Sequence, residues 1–196
     1  MAIDSILGDV EQASRRYWNG EFQEMRLLGV VDEMGNLRSA PPASTELLEN
    51  RVPRSAIKAP EVLNEAYAYA KPSSFSRALR VDLGTVTMLL ISGTASIDEE
   101  GKSIHVGDFR AQLWRTYRNI TLLLQAEGAT WHDIVRTSCY LRDIERDYKD
   151  FNEVRTEFFN FLGLDPLPAS TGIQARLCRE ELLVEIEAIA VLPKGR

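Results

Sequence analysis

The chain has 196 residues, 44% hydrophobic and 27% charged, enough for one well-formed core with an appended segment. Its 23 Lys and Arg against 29 Asp and Glu leave a formal charge of −6. With no block of like charges, this argues against nucleic-acid or anionic-membrane partners, since phosphate affinity comes from clustered basic residues. Cys139 and Cys178 lie far apart without metal-ligand spacing, and no signal peptide or long apolar span precedes them, so free thiols in a reducing cytoplasm are expected.

Ile3, Ile6, Leu7, Val10, Ala13 and Tyr17 recur at helical spacing and predict an amphipathic helix from Asp4 to Trp18, ended by Asn19-Gly20. Met25 to Val31 and Leu37 flank the turn signal Asp32-Glu33-Met34-Gly35-Asn36, a candidate hairpin. From Ser39 to Pro60 prolines and small residues dominate; Arg51 and Arg54 read there as solvated loop charge, with ligand anchoring as the alternative. Pro60 could open a helix from Glu61 to Ala70, stopped by Lys71-Pro72.

The pattern changes at Ser73. Phe75 to Asp82 and Val86 to Ser92 read as two strands with a tight turn at Gly84. The small residues Ser92-Gly93-Thr94-Ala95-Ser96 allow tight packing against a helix or a neighbouring subunit, or the close approach of a ligand. Asp108 should cap a helix whose apolar face is Phe109, Leu113, Tyr117, Ile120 and Leu124, closed by Gly128. Ile134 to Leu141 predict a strand with Val135, Thr137, Cys139 and Leu141 on one side, which makes Cys139 a core residue. A second amphipathic helix runs from Tyr148 to Leu162, carried by Phe151, Val154, Phe158 and Phe159 and ended by Gly163.

A Pro- and Gly-containing loop then leads to the last strand, where Val184, Ile186, Ala188 and Ala190 alternate with Leu183, Glu185, Glu187 and Ile189. Two carboxylates two residues apart on one face of an apolar strand cannot both be buried and ionised without partners. One of them should face a cleft, water or an arginine. Two helices burying one face each against a common sheet make a two-layer α+β domain over residues 73–196, with residues 1–72 as an N-terminal helical extension. His105 and His132 lack partners at metal-ligand spacing, and no G-x-S-x-G elbow occurs, so neither a metal site nor a serine hydrolase is expected.

Leu89-Leu-Ile-Ser-Gly, Asn119, Ala126-Glu-Gly-Ala, Asp133-Ile-Val-Arg-Thr, Asn152 before Phe158-Phe159, Pro168-Ala169 and Glu185-Ile-Glu-Ala-Ile-Ala together resemble the RidA (YjgF/YER057c/UK114) superfamily, over Phe75 to Leu192. The resemblance implies a RidA/chorismate-mutase-like fold with a mixed sheet and two helices on one face. It also implies a homotrimer with ligand clefts between subunits, and cofactor-free hydrolysis of enamines and imines formed from amino acids. In the deaminases an arginine directly after Pro-Ala holds the substrate carboxylate; that position is Ser170 here, and a neutral serine cannot reproduce a bidentate grip. Their tyrosine before the first strand corresponds to Phe75, their glutamate to Glu185 and their backbone-donor loop to Thr171-Gly172.

Pro72-Ser-Ser-Phe-Ser-Arg-Ala, Ser92-Gly-Thr-Ala-Ser-Ile, His105-Val-Gly-Asp and Ala111-Gln112 are similar to the RidA-like C-terminal half of the chorismatases, the closer of the two resemblances. Those enzymes hold a dicarboxylate with arginines and use a glutamate of the last strand as acid. By that resemblance Glu185 is the catalytic residue, Arg77 and Arg176 anchor carboxylate, and Cys178 walls the pocket. Residues 1–72 stand where the chorismatases carry a long N-terminal domain.

These readings converge on a cofactor-free, metal-free enzyme acting on a small anionic enol-ether or enamine carboxylate between subunits of a cytoplasmic homotrimer. Glu185 would be the acid or base, and Phe75, Arg77, Ser92, Asn152, Ser170, Thr171, Gly172, Arg176 and Cys178 would bind substrate. Chorismatase-like hydrolysis or lyase chemistry comes first and RidA-type imine deamination second. A non-catalytic carboxylate-binding or assembly protein is the third reading, in which Glu185 only pairs with Arg176 or Arg77. Endoribonuclease L-PSP-like activity fits the acidic balance least.

Overall fold

A computed structural model describes residues 19–39, 51–60, 63–70 and 72–195. The helix expected from Asp4 to Trp18 lies outside them. The chain divides into two compact units between Arg51 and Val52. In the first unit, helix α1 spans Asn19–Leu27, so Asn19-Gly20 lie within a helix and Met25 to Leu27 belong to it instead of to a hairpin strand. The turn signal itself is kept: Asp32 Oδ1 accepts from the backbone N–H of Met34 and Asn36, and Val31 bridges Leu37.

The second unit is a six-stranded sheet in the order β1-β2-β3-β6-β4-β5. Its strands are β1 (Arg54–Ala56), β2 (Ala78–Asp82), β3 (Val86–Ala95), β4 (Ile134–Leu141), β5 (Ala169–Gln174) and β6 (Val184–Pro193). All neighbours are antiparallel except β4 and β5. Helices α2 (Phe109–Gln125) and α3 (Ile144–Leu162) supply the second layer. Asp108 caps α2 by accepting from the N–H of Ala111, and Gly163 ends α3 in the left-handed region at φ 64°, which a side chain resists. This is the two-layer α+β arrangement that the order of elements implies.

The core lies between sheet and helices. Val184, Ile186, Ala188, Ala190 and Leu192 of β6 are buried there with Leu113, Tyr117, Ile120, Phe151, Val154 and Phe158. Tyr117 and Phe158 stack at 4.7 Å, and Trp131 meets Phe158 edge-on at 5.1 Å, joining the two helices through aromatic contacts. A smaller apolar cluster, Leu63, Ala95, Ile97, Leu177 and Leu182, packs with Tyr140 and Ala175. It includes residues of the connections before β2 and after β5.

Three expectations change. The helix expected from Glu61 to Ala70 is not seen in its described part, residues 63–70, which holds a 3-10 turn at Ala66–Ala68 after Leu63 bridges back to Ala59, a pairing an α-helix there would break. The loop before β6 contains a strand, β5, whose six residues are all exposed. Its register comes from backbone pairing with β4 after the α3 crossover, so no apolar alternation announces it. In β4, a register shift between Ile134 and Arg136 puts Ile134 in the core and leaves Val135 48% exposed, whereas Thr137, Cys139 and Leu141 stay buried.

That shift sets opposite costs for two adjacent residues. Ile134→Ala should lower unfolding free energy by about 2–5 kcal/mol, and Val135→Ala should stay within about 0.5 kcal/mol, measured by denaturant titration. Equal losses at both positions would contradict the bulge.

Candidate functional site

On the sheet face opposite the helices, Ala95, Glu185 and Tyr140 stand side by side across β3, β6 and β4. Glu185 reaches this face because its neighbours Val184 and Ile186 are committed to the core. Its carboxyl lies over Gly93: a Cβ on that glycine would come within 1.9 Å of Glu185 Oε1. The small-residue stretch at the end of β3 therefore makes room for a carboxyl group, and any side chain at position 93 would displace it.

Around Glu185 is a cleft of about 140 Å³, lined by Tyr69, Phe75, Arg77, Ala95, Cys178, Arg179 and others. Arg77, 5% exposed, lies with its guanidinium carbon 5.0 Å from the Tyr69 ring centre and 5.2 Å from that of Phe75. Its Nε donates to the Asn64 carbonyl at 3.3 Å, and its backbone N–H to Glu65 Oε2 at 3.2 Å. No hydrogen bond engages its two terminal nitrogens among the described residues. A guanidinium fixed by two rings and one carbonyl, with its outer edge free, is prepared to take a carboxylate without losing much rotamer freedom.

Arg179 enters from the connection between β5 and β6, donating to the Gly101 carbonyl and, at 3.5 Å, to Ser103 Oγ. Two side chains hold that connection. Gln112, fully buried on α2, donates to the Glu181 carbonyl and accepts from the Leu183 N–H, both at 2.8 Å. Arg142 donates to the carbonyls of Leu182 and Arg179.

No hydrogen bond reaches the Glu185 side chain among the described residues. Burial pushes its carboxyl above the ordinary range, the Glu187 carboxylate adds to the rise, and Arg77 and Arg179 oppose it. A carboxyl whose hold on its proton is strengthened in this way suits exchange of a proton with a bound anion.

Of the residues singled out in the sequence, Phe75, Arg77, Cys178 and Glu185 meet at this cleft. The others do not. Arg176 is exposed and away from it, and Arg179 stands there in its stead. Ser92 Oγ donates to the Ser76 carbonyl at 2.9 Å and lines a neighbouring cavity of about 530 Å³ with Phe75, Arg136, Ser138 and Glu187. Ser170 Oγ shares a hydrogen bond with Thr137 Oγ1 at 3.0 Å and accepts from Arg155 Nη1 at 3.4 Å; Asn152 accepts from the same arginine. Thr171 accepts from Arg136 at 3.1 Å. Ser170, Thr171 and Gly172 thus lie on β5, two strands from Glu185, and do not line the cleft around it. Sequence reasoning missed Tyr69, Gly93 and Arg179: only the Gly-small stretch carried a signal, and nothing in the sequence chooses between Arg176 and Arg179. Cys139 is buried and Cys178 exposed, both as free thiols.

Among the described residues, no helix is long and apolar enough to cross a membrane, and no cluster of His, Cys, Asp or Glu could hold a metal ion.

A sequence model of the family described as Endoribonuclease L-PSP matches residues 67–192. A RutC family protein of Pyrococcus abyssi is 31% identical over 116 residues, which cover 59% of this chain and 84% of that protein. The 3-aminoacrylate deaminase RutC of Acinetobacter baylyi is 30% identical over 103 residues, 53% of this chain and 78% of that one. Among solved structures, the YjgF gene product of E. coli superposes with a TM-score of 0.55 at 26% identity, covering 70% of this chain and 98% of its own.

The raised Glu185 carboxyl makes stability depend on pH. Between the carboxyl's ordinary value and its raised one, the folded chain holds a proton that the unfolded chain has released. This contribution is fully present below the unfolded value and is lost as pH rises through the folded one. Compared with Glu185→Gln, the wild type should therefore lose stability as pH climbs through that window; parallel stability curves would contradict the shift.

Proposed function

Given that the chain belongs to the Endoribonuclease L-PSP (RidA/YjgF) family, we propose that it is a cofactor-free deaminase of small enamine carboxylates, with Glu185 as the proton donor. The observation that carries this reading is the half-buried Glu185 carboxyl, free of hydrogen bonds among the described residues, facing a guanidinium whose outer edge is open. The similarity to a 3-aminoacrylate deaminase supports the same substrate class.

Arg77 takes the place of the arginine that Ser170 does not provide, and grips the substrate carboxylate. Glu185 gives its proton to the enamine carbon, which leaves an iminium ion. A water adds to the iminium carbon and returns a proton to the Glu185 carboxylate. The carbinolamine then collapses, so that enamine and water become a carbonyl compound and ammonia. In the collapse the C–N bond breaks as the hydroxyl proton passes to the departing nitrogen; the earlier steps only move a proton or add water. The developing charge is met by groups already in place, which is where a preorganised site lowers a barrier.

The test is ammonia release from 2- and 3-aminoacrylate generated in situ. Glu185→Gln should lower turnover by about a hundredfold or more, the usual scale for a general acid, while Arg77→Gln should mainly raise KM. Turnover unchanged in Glu185→Gln would remove the assignment. A second reading, chorismatase-like hydrolysis, draws on one observation: two guanidiniums, Arg77 and Arg179, act on Glu185, which suits a substrate with two carboxylates. Pyruvate release from chorismate in the same assay would favour it. Carboxylate binding without turnover would favour the non-catalytic reading.

We further propose that the active form is a homotrimer. The sheet face away from the helices is left with Phe75 42%, Leu90 36% and Ile173 45% exposed, and β5 is an open edge. Light scattering after size exclusion should give three times the 22.1 kDa chain mass; a monomer would refute this.

A further inference from the structure

Glu187, the second carboxylate of β6, shares the sheet face of Glu185 but takes no part in the steps above. Tyr140 on β4 is the register partner of Glu185, yet its hydroxyl passes Glu185 and donates to Glu187 Oε2 at 2.8 Å. The bond fixes where the second negative charge stands. In a strand, side chains two residues apart project from the same face about 6.6 Å from one another. At that separation a like charge acts on its neighbour, here from the exposed Glu187 onto the half-buried Glu185.

We propose that Tyr140 and Glu187 form a positioning couple that holds a second carboxylate beside Glu185 and so favours its acid form, the donor with which the reaction cycle begins. The inference rests on the reading of Glu185 as the reactive group.

The charged and titratable groups facing Glu185 from each neighbouring element are few. Arg77 approaches from just before β2, Arg179 and Cys178 from the connection after β5, Tyr69 from the connection before β2, Tyr140 from β4 and Glu187 from β6 itself. Both arginines favour the charged carboxylate, and burial together with Glu187 favours the acid. Without Glu187 the arginines would face burial alone. Cys178 and Tyr69 do not enter that balance. The Tyr140 phenol, itself pushed up by its bond to Glu187, stays protonated and keeps donating.

The couple can be read without any substrate, by carbon NMR titration of protein labelled at the glutamate side-chain carboxyl. The Glu185 resonance is identified by its loss in Glu185→Gln. Glu187→Gln should move the Glu185 midpoint to lower pH, Tyr140→Phe should move it the same way by less, and Glu187→Asp should restore part of it. Tyr140→Phe added to Glu187→Gln should bring no further change, because the hydroxyl acts through the carboxylate. An unmoved midpoint in Glu187→Gln, or fully additive shifts in the double variant, would overturn the couple. In the ammonia-release assay, the alkaline limb of the rate profile should fall to lower pH in Glu187→Gln, since activity needs the protonated acid. An unmoved limb would also count against the couple. Because the NMR midpoint needs no turnover, it tests the couple even where the enamine reading fails.

Discussion

Strand β6 is paired on both edges, with β3 on one side and β4 on the other, and this double pairing governs everything built on the sheet. A strand so placed has no freedom to slip, because a shift by one residue would carry Val184, Ile186, Ala188 and Ala190 out of the core and drive Glu185 and Glu187 into it. Burial of one face thereby delivers two carboxylates to the other. Their energetic cost is limited by what meets them there: two guanidiniums for Glu185 and a phenol for Glu187.

The cleft is assembled from connections more than from regular elements. Arg77 precedes β2, Tyr69 belongs to the connection before it, and Cys178 and Arg179 to the connection before β6. Such segments would ordinarily be mobile. Here the last of them is held by Gln112 and Arg142 through four hydrogen bonds to backbone groups, and by Leu177 and Leu182 in an apolar cluster. Gln112 is fully buried, so its amide bonds are made away from competing water and a lost partner there would be costly. The helix layer therefore reaches through Gln112, and through Asn119 to the carbonyls of Ala95 and Ile97, to the lining of the cleft on the opposite face.

Chemical asymmetry follows from the same arrangement. The Arg77 guanidinium is packed between aromatic rings, suited to holding an anion; Glu185 accepts no hydrogen bond among the described residues. In the proposed reaction one group positions and the other reacts. Phe75 stands between this cleft and the larger cavity beside Ser92 and Glu187, lining both.

Residues whose role depends on local periodicity or capping were legible in the chain: the faces of α2 and α3, the Asp108 cap, the Gly163 stop and the alternation of β6. They could be read directly because helix and strand periods and cap chemistry act over a few residues. β5 escaped, since a fully exposed strand has no apolar pattern to show, and Val135 was misplaced, since a bulge is set by the neighbouring strand. Glu185 announced itself as a carboxylate on an apolar strand and Gly93 as part of a small-residue stretch; Tyr69 and Arg179 gave no signal. That Arg179 and not Arg176 faces Glu185, and that Ser170 lies two strands away, became visible only in the folded chain. Contacts between segments distant in sequence are chosen by how the buried faces pack, and that is a property of the whole fold.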